Sequence, residues 1–191
     1  MLRRVRHPAN NTIRLYVLGA IFIVPLSIGV ILVSNNASRS DNAYKISREV
    51  GSMFAQGVDF SLAANQTIAL SVAEGAGIDM QAGKGVLILS KIRMVHPSDC
   101  PSTASAKCSN KGYAVVTERY VLGNRSLRNS AFGTPASLDP SSGKVRDWVN
   151  DLSARAVNFA SSLKPGEVTY AAECYLASPE SHSGVYSRAM F

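Results

Sequence analysis

Residues 15–33 read Leu-Tyr-Val-Leu-Gly-Ala-Ile-Phe-Ile-Val-Pro-Leu-Ser-Ile-Gly-Val-Ile-Leu-Val and contain no charged side chain. A helix rises about 1.5 Å per residue, so this run spans about 28 Å, close to the hydrocarbon thickness of a bilayer. The run is apolar on every side, whereas a helix packed in a soluble core has one apolar stripe. We therefore predict a transmembrane helix in the lipid bilayer, with the anchor residues Leu15, Pro25 and Val33.

The charges around this run predict its orientation. Four arginines precede it, namely Arg3, Arg4, Arg6 and Arg14. Positive flanks stay on the cytoplasmic side, which makes residues 1–14 a cytoplasmic basic leader and residues 34–191 a periplasmic or extracytoplasmic domain. A cleaved signal peptide is the alternative, but its apolar core is about 7 to 15 residues long and its cleavage site needs a small residue where Asn35 stands.

Net charge does not indicate a nucleic-acid partner. The chain has 191 residues and a formal net charge of +7, and 4 of its 20 basic residues lie in the leader. The remaining 16 basic residues are interspersed with 13 acidic ones, without a basic block. Nucleic-acid modules show such a block or stripe, so we expect no nucleic-acid binding. The length allows one ordinary domain with an appendage.

A helical pattern continues beyond the apolar run. Steps of three and four residues place four apolar side chains in one seam, made of Ala43, Ile46, Val50 and Met53. The pattern predicts one long helix that begins in the membrane, and a hinge at residues 35–36 is the alternative. The seam either packs on the chain's own sheet or contacts neighbouring subunits, which makes it a hypothetical partner interface. A second short helix is predicted over residues 65–76.

Strand-like patterns fill much of the remaining chain. The runs rich in β-branched and aromatic residues are 85–95, 113–122, 168–177 and 185–191. Residues 145–163 show weak helical periodicity instead. The predicted fold class is α+β, in which an N-terminal transmembrane helix extends into a long helix packed on a small antiparallel sheet, as in pilins.

The three cysteines have different expected roles. Cys100 and Cys108 enclose seven residues between two predicted strands, which in an oxidising compartment predicts a disulfide. A metal site that adds His96 and Asp99 is the alternative, although the spacing fits no common zinc pattern. Cys174 lies on an apolar strand face and is expected to be a buried small hydrophobe, since a catalytic thiol needs a nearby base.

Catalytic motifs are not found in the sequence. The Gly-Lys-Gly at residues 83–85 precedes a strand and lacks the Ser or Thr of a phosphate-binding loop. Glu173 is expected either to be solvated or to pair with Arg188 on the last strand. We therefore expect no enzymatic activity, no cofactor and no bound metal.

The order of these features resembles a known family. The basic leader and Pro-containing apolar helix are followed by Asp-Asn-Ala-Tyr-Lys-Ile-Ser-Arg-Glu at residues 41–49, Tyr-Ala-Ala-Glu-Cys-Tyr at 170–175 and Val-Tyr-Ser-Arg-Ala at 185–189. This arrangement resembles the TadE/TadG-like proteins of the tight-adherence (Flp-type) pilus assembly system. The resemblance implies a pseudopilin in the bacterial inner membrane with a structural role. Its implied partners are other (pseudo)pilins and inner-membrane platform proteins.

One departure from the family concerns processing. Pseudopilins cut by prepilin peptidase carry Gly before the apolar run and Glu five residues into the mature chain, whereas here Gly19 lies inside the run and Val24 stands in the place of Glu. Two other classes of function stay open: a membrane-tethered periplasmic module that binds a ligand or partner, and a tethered periplasmic hydrolase.

Overall fold

The computed structural model describes residues 9–76, 80, 83–101, 107–157, 159, 163–177 and 184–191, and it describes the side chains of the first helix from residue 20 onward, except 32, 35 and 36. Contacts divide the chain into two units, Met1–Arg39 and Ser40–Phe191. The elements in chain order are α1 (Ala9–Ala55), α2 (Ala63–Gly75), β1 (Gly85–Met94), β2 (Ala114–Gly123), β3 (Val168–Ala177) and β4 (Gly184–Met190). Helix α1 continues through residues 35–36, where the sequence allowed a hinge.

The first unit contains the apolar part of α1. Its exposed large side chains, each more than half accessible, are Ile21, Phe22, Ile23, Val24, Leu26, Ile28, Val30, Ile31 and Val33. Pro25 lies inside the helix without ending it. Within the part of the chain that the structure describes, no helix carries a stretch apolar and long enough to qualify as a membrane span. Residues 1–8 of the predicted leader, and the side chain of Leu15 at the start of the predicted span, lie outside the described residues.

The second unit is built on a four-stranded antiparallel sheet. The strand order is β2-β1-β3-β4, with every neighbouring pair antiparallel. Leu87 of β1 pairs with Cys174 of β3, and Glu173 pairs with Arg188 of β4. The β1–β2 register shifts between Lys91 and Ile92. The predicted α+β class and the four strands are therefore confirmed, with strand ends within one residue of the prediction.

One face of this sheet packs against α1 and α2. Ala43, Ile46 and Val50 are fully buried there, in a cluster with Leu87 and Leu89 of β1. Met53 is partly buried against the same cluster. The seam is therefore internal packing, and the proposed use of these four residues as a partner interface is corrected. The physical reason is that the apolar face of β1 and β3 needs a cover, and the seam is the apolar surface that supplies it.

A glycine permits the close approach of α1 to the sheet. A Cβ atom on Gly51 would lie 2.7 Å from Cβ of Ala172 on β3 and 2.4 Å from the Phe191 ring. Such distances are too short for any larger residue without a shift of the backbone. Gly51 is therefore a point at which helix and sheet come into close contact.

The opposite face of the sheet is covered by the long connection between β2 and β3. Between this face and the connection lies a second hydrophobic core, made of Ile92, Val116, Phe132, Val145, Ala154, Ala156 and Ala171. The weak helical periodicity of residues 145–163 does not produce an α-helix in the described part of that stretch, which has a 3₁₀ turn at Leu152–Ala154 and isolated bridges from Lys144, Val145 and Arg155. The side chain of Asn110 donates to the carbonyl groups of Trp148 and Asp151. These long-range bonds occupy carbonyls that a helix would use within its own turns.

Candidate functional site

A pocket of about 320 Å³ lies where the end of α1 meets the sheet. Its aromatic lining is formed by Phe54, Tyr120 and Tyr170. The ring of Phe54 meets the other two edge-on, at centroid distances of 5.8 Å to Tyr120 and 5.2 Å to Tyr170. Edge-to-face contacts of this kind stabilise ring pairs by about 0.5–1.5 kcal/mol, so the aromatic surface is rigidly held.

Charged side chains form a row along one side of this pocket. Lys91 stands opposite Tyr170 on β3 and opposite Glu118 on β2, and Glu118 forms a bridge to Lys144. Directly opposed residues point to the same side of a sheet with Cβ atoms about 5 Å apart. In the described residues, neither lysine forms an ion pair within 4 Å, and the Lys91 ammonium lies 5.6 Å from the centroid of the Tyr170 ring. The ammonium groups are thus available to a ligand.

The acidic groups of the pocket are held by neighbouring donors. The Tyr120 hydroxyl donates to Oε1 of Glu118 at 2.7 Å. Burial raises the pKa of Tyr120 far above its usual value, and the Glu118 carboxylate adds to this shift, so the phenol is a neutral donor at neutral pH. Hydrogen bonds from the side chain and backbone of Ser61 lower the pKa of Asp59, which lines the pocket as a carboxylate.

The chemistry of this pocket is suited to binding. Its lining combines two ammonium groups, two carboxylates and an aromatic surface, and neither histidine nor cysteine is among the lining residues that the structure describes. Small-ligand sites commonly have a volume of about 300–1,000 Å³ and a few placed polar groups on an apolar lining. The arrangement therefore fits a small polar ligand with a ring or other apolar face.

The opposite side of the sheet contains a buried polar centre that the sequence did not reveal. Glu173 is only 2% exposed. Its carboxylate accepts hydrogen bonds from the Ser130 hydroxyl, from the backbone N–H of Ala131 at 2.9 Å and from the Tyr186 hydroxyl at 2.7 Å. Arg188 stands opposite Glu173 in the register, but its guanidinium carbon lies 5.4 Å from the Phe132 ring centroid. The expectation of a solvated Glu173, or of one paired with Arg188, is therefore wrong.

Arg119 supplies the positive charge of this centre. Arg119 is only 6% exposed. Its guanidinium donates hydrogen bonds to Oγ of Ser90 at 3.0 Å, to the Gly133 carbonyl at 2.6 Å and to Oγ of Ser130 at 3.0 Å. Burial lowers the pKa of Arg119 to about 10, while the Glu173 charge opposes that shift. The side chain is a cation at neutral pH. A weak sequence signal existed, since Ser90 shares a strand face with Ile88 and Ile92, and Glu173 stands between Ala172 and Cys174.

The structure describes all three cysteines, and their states match the prediction of one disulfide and one buried thiol. Cys100 and Cys108 form a disulfide with sulfur atoms 2.06 Å apart, so their thiolates are not available to a metal. Asp99 is engaged with Arg93 and with the backbone N–H of His96. Cys174 is fully buried, and burial raises the pKa of its thiol to about 12, which keeps it protonated. Residues 102–106 of the disulfide loop lie outside the described residues.

Comparison with known proteins does not identify a family. No protein-family model, no curated protein and no solved structure matches this chain.

Proposed function

We propose that this chain is a membrane-anchored, pseudopilin-like structural component of a tight-adherence (Flp-type) pilus assembly or secretion system, without catalysis of its own. The observation that carries the proposal is the burial of the α1 seam, Ala43, Ile46 and Val50, against an antiparallel sheet. A long N-terminal helix that packs its outer half on a small sheet is the arrangement expected of a pilin-like protein.

The anchor part of the proposal rests on the apolar run at residues 15–33 and the arginines before it. The exposure of large apolar side chains along α1, such as Phe22 at 67% and Leu26 at 67%, supports an apolar environment around this segment. Lipid and neighbouring transmembrane helices both provide one. The proposed location is the bacterial inner membrane, with the N-terminus in the cytoplasm and the second unit in the periplasm.

Co-purification from detergent tests this proposal. The full chain, carrying an affinity tag, is isolated from the membranes of its host, and associated proteins are identified by mass spectrometry. We expect platform proteins and other pseudopilins of one assembly system to be enriched. The matched control replaces residues 15–33 by an unrelated apolar helix of the same length. This variant is expected to reach the membrane and fold but to lose the partners and the pili.

Preserved pili and surface attachment in the swapped variant would contradict a specific role of the anchor. A second candidate function, a membrane-tethered binding module, would then be favoured. The observation in its favour is the pocket of about 320 Å³ with its aromatic lining and with Lys91 and Lys144, which form no ion pair within 4 Å in the described residues. Saturable binding of a small polar ligand, lost in Lys91→Met while pili persist, would establish that function instead.

A further inference from the structure

A second cavity, of about 160 Å³, lies on the sheet face opposite α1, beside the polar centre of Arg119 and Glu173. Three arginines line it, namely Arg119, Arg125 and Arg128, and its described lining residues include no aspartate or glutamate. We propose that this arginine-lined cavity binds a phosphate group. The cavity belongs to the folded second unit, so the inference goes beyond the pilus-assembly role and does not depend on it.

The buried arginine has one donor that the protein does not use. A guanidinium carries five N–H groups. Those of Arg119 make four hydrogen bonds, to Ser90, Gly133, Ser130 and the Phe132 carbonyl. One N–H on Nη1 is left without an acceptor in the described part of the chain. Arg119 lines the cavity, and a buried cation with an unused donor is suited to an anionic acceptor.

Arg128 is held in place before any ligand binds. Its guanidinium carbon lies 4.0 Å from the ring centroid of Tyr186 and 5.6 Å from that of Tyr175. Stacking on an aromatic ring holds the guanidinium plane while its N–H edge stays available for a bidentate contact. A side chain positioned in this way loses little conformational entropy on binding.

The charge balance of the cavity favours an anion with more than one negative charge. Glu173 offsets Arg119, with which it shares the Ser130 hydroxyl. In the described residues, Arg125 and Arg128 form no ion pair, so the cavity has two uncompensated positive charges. Thr134 adds a hydroxyl group to the lining, whereas the proton of the Ser130 hydroxyl is donated to Glu173.

Phosphate fits both the charge and the size of this cavity. Guanidinium groups match the oxygen spacing of phosphate through paired N–H···O bonds. The cavity volume of about 160 Å³ is well above the roughly 10–15 Å³ needed to hold a single water on the same measure, so there is room for one phosphate group. The same chemistry is offered by free phosphate, by a soluble phosphomonoester and by the headgroup of an anionic phospholipid.

Phosphorus NMR on the full chain tests the proposal. The protein is held in micelles of a detergent that lacks phosphate, at fixed ionic strength, and inorganic phosphate is titrated. We expect saturable line broadening of the phosphate signal. Arg125→Gln and Arg128→Gln should each raise the dissociation constant about tenfold, as expected for loss of a charge-assisted contact. The matched control is Arg48→Gln, which removes one exposed arginine charge from α1 and should leave the constant unchanged.

Two further arms identify the source of the phosphate group. Glycerol phosphate and short-chain phosphatidylglycerol, below its micellar concentration, are titrated in the same way, with short-chain phosphatidylcholine as the zwitterionic control. Tighter binding of phosphatidylglycerol than of either soluble phosphate assigns the cavity to a lipid headgroup, and the reverse order assigns it to a soluble ligand. Absence of saturable binding by all of them, or equal weakening in Arg48→Gln and Arg128→Gln, would overturn the proposal.

Discussion

Arg119 and Glu173 are joined through a single hydroxyl group, Oγ of Ser130. Nη2 of Arg119 donates to that oxygen at 3.0 Å, and the same hydroxyl donates to the Glu173 carboxylate. No direct contact between the two ions within 4 Å is found among the described residues. Because both ions are buried, the Ser130 hydroxyl supplies a hydrogen bond to each of two buried charges. Loss of this hydroxyl would leave both Arg119 and Glu173 with one hydrogen bond fewer.

Ser130→Ala should therefore destabilise the second unit. The change leaves part of the Glu173 carboxylate and one Arg119 donor without partners, and an unmet buried hydrogen bond costs about 1–3 kcal/mol. Urea unfolding monitored by fluorescence of Trp148, the one tryptophan in the chain, measures the loss. Ser126→Ala is the matched control, since Ser126 is exposed in the same connection and, among the described residues, its side chain donates to Asn124. An equal effect of both substitutions would contradict the bridge.

Ile46→Ala should lower the free energy of unfolding by about 2–5 kcal/mol, because Ile46 is fully buried in the core between α1 and the sheet. Tyr44→Ala, two residues away and 46% exposed, should change it by no more than about 0.5 kcal/mol. The same urea titration compares the two. Unchanged stability of Ile46→Ala together with loss of pili would instead restore the seam as a contact with neighbouring subunits.

The three cysteines should differ in reactivity. Cys174 is fully buried and its thiol pKa is raised to about 12, so the nucleophilic thiolate is scarce at neutral pH. Alkylation followed by mass spectrometry should label no cysteine quickly in the native protein and one after unfolding without reductant. Unfolding with reductant should add Cys100 and Cys108. Fast native labelling at Cys174, which Cys174→Ala would abolish, is the contrary result.

We expect the Arg93–Asp99 pair to stabilise the folded second unit at neutral pH and to lose this effect in acid. Hydrogen bonds from Arg93, and one from the backbone of His96, lower the pKa of Asp99 below its ordinary value of about 3.9. A carboxyl group with a depressed folded-state pKa stabilises the fold above the unfolded-state pKa. That contribution disappears as pH falls through the folded-state pKa.

Asp99→Asn should accordingly lower stability by about 1 kcal/mol at pH 7 and leave it nearly unchanged at pH 2, as measured by urea unfolding at both values. Asp41→Asn is the control, since Asp41 pairs with Lys45 on the solvent side of α1, with both side chains 60% exposed. An Asp99→Asn effect of equal size at both pH values would show that the carboxylate charge is not involved.

The strands could be predicted because the sequence pattern that indicates each strand lies within the strand itself. Alternation of apolar residues and enrichment in β-branched side chains place β3 at Val168–Ala177, the same residues that the pattern predicts. The α1 seam was predictable for the same reason, but whether it faced a sheet or a partner was not. That choice depends on Leu87 and Leu89, far along the chain, which need a cover.

The polar centre was not predictable because its partners come from separate parts of the chain. Glu173 is satisfied by Ser130 and Tyr186, and Arg119 by Ser90 and by backbone of the β2–β3 connection. No spacing in the sequence indicates how that connection folds over the sheet. In the same connection, the weak helical periodicity of residues 145–163 is overridden by hydrogen bonds from Asn110 to the carbonyls of Trp148 and Asp151.

The position of β1 inside the sheet has a consequence for biosynthesis. β1 ends at Met94 and gains β2 on one edge soon afterwards, but β3, which covers its other edge, begins only at Val168. As the chain emerges from its N-terminal end, the apolar strand keeps one unpaired edge until the whole connection and β3 have followed, and such an edge is a template for pairing with other chains. Non-local strand pairs also form slowly. The period between the emergence of β1 and that of β3 is therefore the stage at which the chain is most in need of chaperone protection.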